Sequence, residues 1–454
     1  MVLNNKVNKT HIIKAGSWVM IGHLLSQLIR LGGNLVLTRL LVPEMFGVMA
    51  IVNVLIMGVQ MLSDFGLGQS IIQSKKGEEP NFVNTAWTLQ IIRGWVLWLT
   101  ICLLAALLWG ANQYGLLVKE QVYAHPLLPW LMITVGFSAV IAGFNSMAIF
   151  QVNRNLMLGR LTLINLFAQI VSLMVIIAVA WKYQSIWALA VGGLASSFID
   201  MTFSHKYLPG VKNKLHWDKT ALKELFSFGK WIFLSSVIGF IANQGDRLIL
   251  GGLLTVEMLG VYSIAFMLSN IPVTIVSQLS HKVLFPNFSR INRENPKQLK
   301  ASLNRSKLWL SMLVMPVTGV LMSWSPFVVD YLYDERYVAA GWMMTLLLLR
   351  VATGCVLIPN ALIMMAKGLP QYSTISASLK AIFLFVALPQ VFNQFGVEEM
   401  ILTVGLSGFI SIPVMWFALI RHKLFSLKIE IYSIVLLIIG FIVGNYALKI
   451  WSYI

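Results

Sequence analysis

The side chains most able to do chemistry in this 454-residue chain are charges set where lipid is expected. Arg30, Arg93, Arg247, Arg350 and Lys380, with Asp64, Asp200 and Asp246, all fall inside otherwise apolar stretches. A basic side chain facing lipid at mid-depth costs about 2.5–3.5 kcal/mol. Five of them would cost on the order of 12–17 kcal/mol, more than a typical folding stability. They are therefore expected to face protein or water.

Helical spacing agrees. His23, Gln27, Arg30 and Asn34 stand at i, i+4, i+7 and i+11 on one face. Asn53, Gln60 and Asp64 share a face, as do Ser196, Asp200 and Ser204. Ser263, Asn270, Thr274, Ser277 and His281 make another stripe. At 1.5 Å per residue Arg30, Arg93 and Arg350 lie about 14–21 Å into their stretches, near the middle. Lys380 is about 12 Å in and within snorkelling reach of the headgroups. A lining with five basic and three acidic groups favours an anionic cargo, with Asp64, Asp200 and Asp246 as candidate sites for a coupling cation. The competing readings are structural: an arginine tied to backbone carbonyls, hydroxyls and amides as helix–helix glue, histidines as packing residues.

Hydrophobic residues make up 58% of the chain and charged residues 11%, less than half the charge of an ordinary soluble domain. Apolar windows long enough to cross a bilayer recur throughout, so an all-α polytopic membrane protein is expected. Thirteen spans are read: 16–41, 45–72, 84–110, 127–150, 160–181, 185–205, 229–253, 257–285, 306–328, 337–366, 373–391, 399–420 and 431–450. The first is too long and too polar in its middle for a cleaved signal peptide. With the N-terminus inside, the tail and even-numbered connections hold 24 of the 34 basic residues, mostly in 206–230 and 282–307. The outer connections and C-terminus hold Arg39, Lys119, Lys182, Arg336 and Lys449. That bias puts the N-terminus in the cytoplasm, and the net charge of +17 then faces anionic headgroups rather than nucleic acid.

Cys102 and Cys355 both fall in spans, which gives neither a disulfide framework nor a metal site. The longest outer connection, 111–126, carries no catalytic constellation, and no Walker-type glycine loop is present. No enzyme and no cofactor are expected; coupling to H+ or Na+ stays open. Pro272, Pro316, Pro359, Pro389 and Pro413 are expected to interrupt spans of the second half.

Residues 16–48 align with 229–261 without a gap, at an offset of 213, with eleven identities in 33 positions. They include Trp18 with Trp231, Gly32 with Gly245, and six within "LLVPEMFGV" (40–48) and "LLTVEMLGV" (253–261). Six spans separate the copies, so both enter the membrane in the same direction. Two parallel six-helix lobes around a central cavity are expected. The expected division is an N-lobe 1–210, a basic linker 211–228 with the amphipathic "DKTALKELF", a C-lobe 229–421, and an extra span in 422–454.

The run "GSWVMIGHLLSQLIRLGGNLVLTRLLVPEMFGVMAIVNVL", then "DFGLGQSIIQ", "NTAWTLQIIRG" and "NQGDRLILGGLLTVEMLGVYSIA" (243–265) resembles one family. It is the polysaccharide-transporter, or Wzx-like oligosaccharide flippase, branch of the multidrug/oligosaccharidyl-lipid/polysaccharide exporter superfamily. The resemblance covers nearly the whole chain, most specifically 16–94 and 225–290. It implies a V-shaped, MATE-like two-lobe transporter in the bacterial inner membrane. Such a protein moves undecaprenyl-diphosphate-linked oligosaccharide outward for O-antigen, capsule or exopolysaccharide synthesis. A polysaccharide polymerase and a chain-length regulator are the implied partners. Related lipid II flippases hold a lipid diphosphate on basic cavity residues. That role would fall here to Arg30, Arg93 and Arg350, with Arg247 and Lys380 as outer members. A cation-coupled multidrug antiporter is the alternative, and a membrane polymerase or ligase a more distant one.

Overall fold

Lipid offers the backbone no hydrogen-bond partner, so a segment that crosses it must satisfy its own amides, and apolar runs of this length become helices. The fold is given by a computed structural model that describes the backbone of residues 2–63, 66–155 and 157–451, and side chains outside 1–20, 62, 226–236 and 451. Asp64 lies outside the described residues. Among the described residues there are helices and no strands.

Two compact units divide the chain, Met1–Val237 and Ile238–Ile454. The first holds α1 (Val2–Leu40), α2 (Pro43–Leu62), α3 (Leu67–Gln73), α4 (Pro80–Gln113), α5 (Leu128–Gly136), α6 (Ser138–Gly143), α7 (Ala148–Arg154), α8 (Leu158–Tyr183) and α9 (Trp187–Tyr207). The division falls within α10 (Lys219–Gly251). The second unit continues with α11 (Val256–Leu279), α12 (Phe285–Glu294), α13 (Leu299–Leu332), α14 (Ala339–Leu347), α15 (Leu349–Ala366), α16 (Gln371–Phe395), α17 (Val397–Leu406), α18 (Ile412–Arg421) and α19 (Leu427–Trp451).

The expected spans fall largely on helices, but 45–72 is divided between α2 and α3 and 127–150 among α5, α6 and α7. Among the described residues nine are long and apolar enough to cross a membrane. A tenth arises if the bent pair Leu128–Gly143 and Ala148–Arg154 is one span. The expected spans 16–41, 185–205 and 229–253, in α1, α9 and α10, stand outside that set, and each carries charged residues in its length. On α4, Leu99, Leu103 and Leu107 form an exposed apolar stripe at i, i+4 and i+8, the kind of face that suits lipid. Pro272, Pro316, Pro359 and Pro389 lie inside helices. Pro413 does not interrupt one: it occupies the first turn of α18, where its missing N–H is harmless.

The two repeat copies start their second helices alike. Pro43 opens α2 with Glu44 in its first turn. Val256 opens α11 with Glu257 in its first turn, behind Thr255, whose Oγ1 accepts from the Met258 amide at 3.3 Å. Positions 43 and 256 differ by the repeat offset. An acid at each helix N-terminus meets the positive end of the dipole.

In the first unit the 64° bend between α6 and α7 frees backbone carbonyls. Gln90 of α4 answers them, its Nε2 donating to the carbonyls of Ala142, Gly143 and Asn145 at 3.0–3.2 Å. Ser26 of α1 and Gln169 of α8 exchange two hydrogen bonds, 2.6 and 2.9 Å. The stretch 211–218 is strapped along α4: the amides of Lys214, His216 and Asp218 donate to Asn84, Thr88 and Thr85 at 3.0–3.2 Å. Hydrogen bonds from the Thr220 hydroxyl and amide hold the Asp218 carboxyl below its ordinary value and start α10 there. The apolar face of that amphipathic start is buried, Ala221 and Leu225 packing with Leu67, Ile71 and Phe82.

In the second unit α19 lies along the length of α13. Lys307 of α13 and Glu430 of α19 form an ion pair, both buried, and Lys307 also donates to Asn360 Oδ1 at 3.1 Å. Lys307 is therefore not one of the solvated basic residues of the 282–307 connection, where its sequence neighbourhood put it. Further along, the Ser311 and Ser433 hydroxyls bond at 2.7 Å and Trp324 Nε1 donates to the Gly444 carbonyl at 3.0 Å. Gly319, Gly440 and Gly444 let the two backbones touch: a Cβ on Gly319 would sit 2.3 Å from the Leu437 carbonyl oxygen, one on Gly440 2.3 Å from that of Pro316. Small residues at such a crossing are the usual means of tight helix pairing in lipid. Gly440→Leu is expected to force the pair apart at a cost of about 1–3 kcal/mol, read as a lowered midpoint in thermal unfolding of the detergent-solubilised protein.

Candidate functional site

Four of the eight charges singled out in the sequence meet in the second unit. Asp246 and Arg247 project from α10, Arg350 from α15 and Lys380 from α16. The residue that gathers the two arginines is Phe266 of α11. Arg247 Cζ lies 4.0 Å and Arg350 Cζ 4.4 Å from its ring centroid. An aromatic face attracts cations through its quadrupole, so one ring holds two guanidinium groups that would otherwise repel each other.

The hydrogen bonds around this ring are sparse. Tyr262, one turn before Phe266, donates its hydroxyl to Asp246 Oδ2 at 3.2 Å. Arg247 donates from one terminal nitrogen to Gln244 Oε1 at 3.3 Å. Among the described residues Asp246 Oδ1 and Arg247 Nε are buried without partners, and the Arg350 guanidinium has no hydrogen-bond acceptor. Lys380 of α16 lies within coulombic range of Arg350 and Asp246. Three cations and one carboxylate leave a local excess of two positive charges, with several N–H donors unspent. Planar guanidinium forks of this kind match phosphate oxygens.

The first-unit candidates stand differently. Arg93 is half-buried and largely committed: Nε donates to Ser63 Oγ at 3.0 Å and a terminal nitrogen to the Gln60 carbonyl at 2.9 Å. It thereby joins the Ser63 amide and hydroxyl on the Gln60 carbonyl at the C-terminal end of α2, where the dipole favours a cation. Bonds of this kind are what the structural reading of a buried arginine calls for. Arg93→Gln is expected to destabilise the protein by about 1.5–3 kcal/mol, the worth of charge-assisted bonds, with Arg93→Lys recovering part; thermal unfolding of the two variants measures this. Arg30 is exposed on α1. Gln27 lies 3.5 Å from His23, and Asn34 is half-buried. On α2 Asn53 is exposed and Gln60 half-buried. Asn270 of α11 stays within its own helix, its Nδ2 3.5 Å from Thr274 Oγ1. Asp200 of α9 has a buried Oδ1 without a partner. Among the described residues no group of three His, Cys, Asp or Glu side chains is placed to hold a metal ion.

Sequence reasoning missed Phe266, Tyr262, Lys307 and Glu430. The first two sit at i and i+4 on α11, a spacing that also describes ordinary core aromatics. Glu430 and Ser433, facing Lys307 and Ser311, stand one helical turn apart, and that was the only signal available for the pair.

Comparison with known proteins agrees with the architecture and the resemblance. The chain is 22% identical to the teichuronic acid biosynthesis protein TuaB of Bacillus subtilis over 313 residues, 68% of this chain and 62% of TuaB. It therefore matches less than two thirds of that relative's length. It is 24% identical to the putative O-antigen transporter of Shigella flexneri over 347 residues, 72% of this chain and 78% of that protein. Among solved structures the lipid II flippase MurJ in an inward closed conformation superposes with a TM-score of 0.71 at 13% identity, over 96% of this chain and 98% of MurJ. The fold is thus the multi-pass helical fold seen in MurJ. The model of the polysaccharide biosynthesis protein family matches residues 36–341, and the chain is a membrane protein belonging to that bacterial family.

Proposed function

We propose that this protein is a flippase that carries undecaprenyl-diphosphate-linked oligosaccharide from the cytoplasmic to the outer leaflet by alternating access, supplying surface polysaccharide synthesis. The observation that carries this reading is the pair Arg247 and Arg350 on the face of Phe266, with donors unspent and Lys380 adding charge. A lipid diphosphate is a dense anion of the right chemistry, and a sugar or a polyprenyl chain alone is not. Asp246 keeps the grip from becoming permanent, since transport needs release as much as binding. Arg30, with an exposed guanidinium, is a further contact for the cargo in the first unit. Arg93 contributes field while its donors hold α2.

The basic bias of the even-numbered connections supports a cytoplasmic N-terminus. Asp64, Asp200 and Asp246 are the candidates for H+ or Na+ coupling, the last two because each keeps a buried carboxylate oxygen without a partner. A polysaccharide polymerase and a chain-length regulator are the partners this role calls for.

Equilibrium binding of undecaprenyl diphosphate to the purified protein tests the site. Arg247→Gln and Arg350→Gln should each weaken binding about tenfold or more, as expected for a lost charge-assisted bond, and undecaprenol, which lacks phosphate, should bind the parent no better than it binds the variants. Equal affinity of parent and variants for the diphosphate would remove the site.

A further inference from the structure

A groove of about 690 Å3 opens in the second unit, away from the Phe266 cluster. One wall is the junction of α11 and α12, the other the first half of α13. Its lining is largely apolar, with Val283, Leu284, Leu313 and Trp309; Arg305 and Asn287 also stand among the lining residues. None of Arg247, Phe266, Arg350 or Lys380 lines it.

Local winding explains why it is open. α11 runs into α12 through a π-turn, Ser280–Leu284, and such turns shift side chains out of register with the helix before them. Val283 is left exposed on the groove wall. Beyond the turn α12 leans on α13 through Phe288, fully buried with Leu299 and Leu303, and through Asn287 Nδ2, which donates to Ser302 Oγ at 3.2 Å. These contacts hold the walls in place without filling the space between them.

The charge at this end is one-sided. Residues 282–306 contain Lys282, Arg290, Arg293, Lys297, Lys300 and Arg305 against one acid, Glu294, which already sits 4.0 Å from Arg290. Arg305 is exposed, and its guanidinium has no partner among the described residues. Basic pockets between spans on the cytoplasmic side suit anionic headgroups, and the groove's volume falls in the range of small-molecule sites.

We propose that this groove seats an anionic phospholipid of the cytoplasmic leaflet, its phosphate on Arg305 and one acyl chain along Val283, Leu284 and Leu313. The seat rests on the cytoplasmic assignment of the basic end and not on the flippase reading. A transporter of any cargo with this surface would hold the same lipid.

Trp309 is 65% exposed, which makes it a reporter. The full-length protein is placed in phosphatidylcholine vesicles containing equal mole fractions of either brominated phosphatidylglycerol or brominated phosphatidylcholine. The tryptophan quenching lost in Trp309→Phe isolates the signal from this groove. Phosphatidylglycerol should be preferred about fivefold, the worth of one basic residue at an anionic surface. Arg305→Gln should bring the ratio to one, and Arg305→Lys should keep most of the preference. Size-exclusion profiles of the variants check their folding. Equal quenching by the two lipids, or a preference that ignores Arg305→Gln, overturns the proposal. Displacement of phosphatidylglycerol by an equimolar amount of undecaprenyl phosphate would assign the groove to the carrier lipid and overturn it as well.

Discussion

Lys307→Met is expected to cost about 3–5 kcal/mol of stability, because it leaves the Glu430 carboxylate buried with no counter-charge. Both side chains are almost wholly enclosed, at 1% and 4% exposure, so water cannot take over the missing partner. The pair joins α13 to α19 at the end of a seam continued by Ser311 with Ser433 and by the glycine contacts. Losing it should therefore loosen the last helix as a whole. Glu430→Leu alone should be nearly as harmful, since it strands the ammonium of Lys307 beside Asn360. The double change Lys307→Met with Glu430→Leu removes both charges together and should recover most of the loss, since a buried ion pair contributes little net stability over a well-packed apolar pair. Thermal unfolding of the four proteins in one detergent gives the coupling between the sites. Additive losses would mean that the two charges do not depend on each other.

The second large effect belongs to Arg350. Arg350→Glu places a carboxylate against the Phe266 face, which repels anions, and cancels one of the three cations of the cluster. Transport of the lipid-linked cargo is expected to fall by well over tenfold, as for loss of a charge-assisted contact and its replacement by repulsion. Arg350→Lys keeps the charge but gives up the planar fork, so an intermediate loss is expected. Phe266→Leu leaves both arginines in place and removes what holds them. The cation–ring attraction is worth about 0.5–2 kcal/mol, so the two guanidinium groups should spread and transport should drop less than with Arg350→Glu. Arg247→Gln and Arg350→Gln combined should be less damaging than the product of the single effects, because both act on one cargo group. A separate measurement of unfolding temperature is needed for each variant. A variant that unfolds would report packing, whereas one that folds and fails to transport reports the site.

The helices were legible because lipid leaves the backbone no alternative, and Arg247, Arg350, Lys380 and Asp246 were legible because charge at membrane depth is costly enough to demand a reason. Phe266 was not, since an aromatic residue in an apolar helix looks the same whether it packs in a core or carries two arginines. Lys307 stood at the end of a span next to a basic connection, where a solvated lysine is the simpler expectation. Its burial follows from Glu430, more than a hundred residues later in the chain, and spacing within one helix cannot reveal that. Arg93 shows the limit from the other side. Its depth marked it as important, but only the fold brings the carbonyl of Gln60 within 2.9 Å and gives the guanidinium a hydrogen bond at the end of α2. The repeat located the starts of α2 and α11, at equivalent positions, while it left α19 without a place; the seam with α13 supplies one.

The central claim is tested most directly by reconstituting the purified protein in vesicles with fluorescent undecaprenyl-diphosphate oligosaccharide of its cognate repeat and measuring how fast the label becomes accessible from the opposite face. Rapid movement by the parent, with large losses in Arg350→Glu and Arg247→Gln at unchanged folding, is the expected result. Vesicles in which the folded parent moves the label no faster than protein-free bilayers would contradict the account.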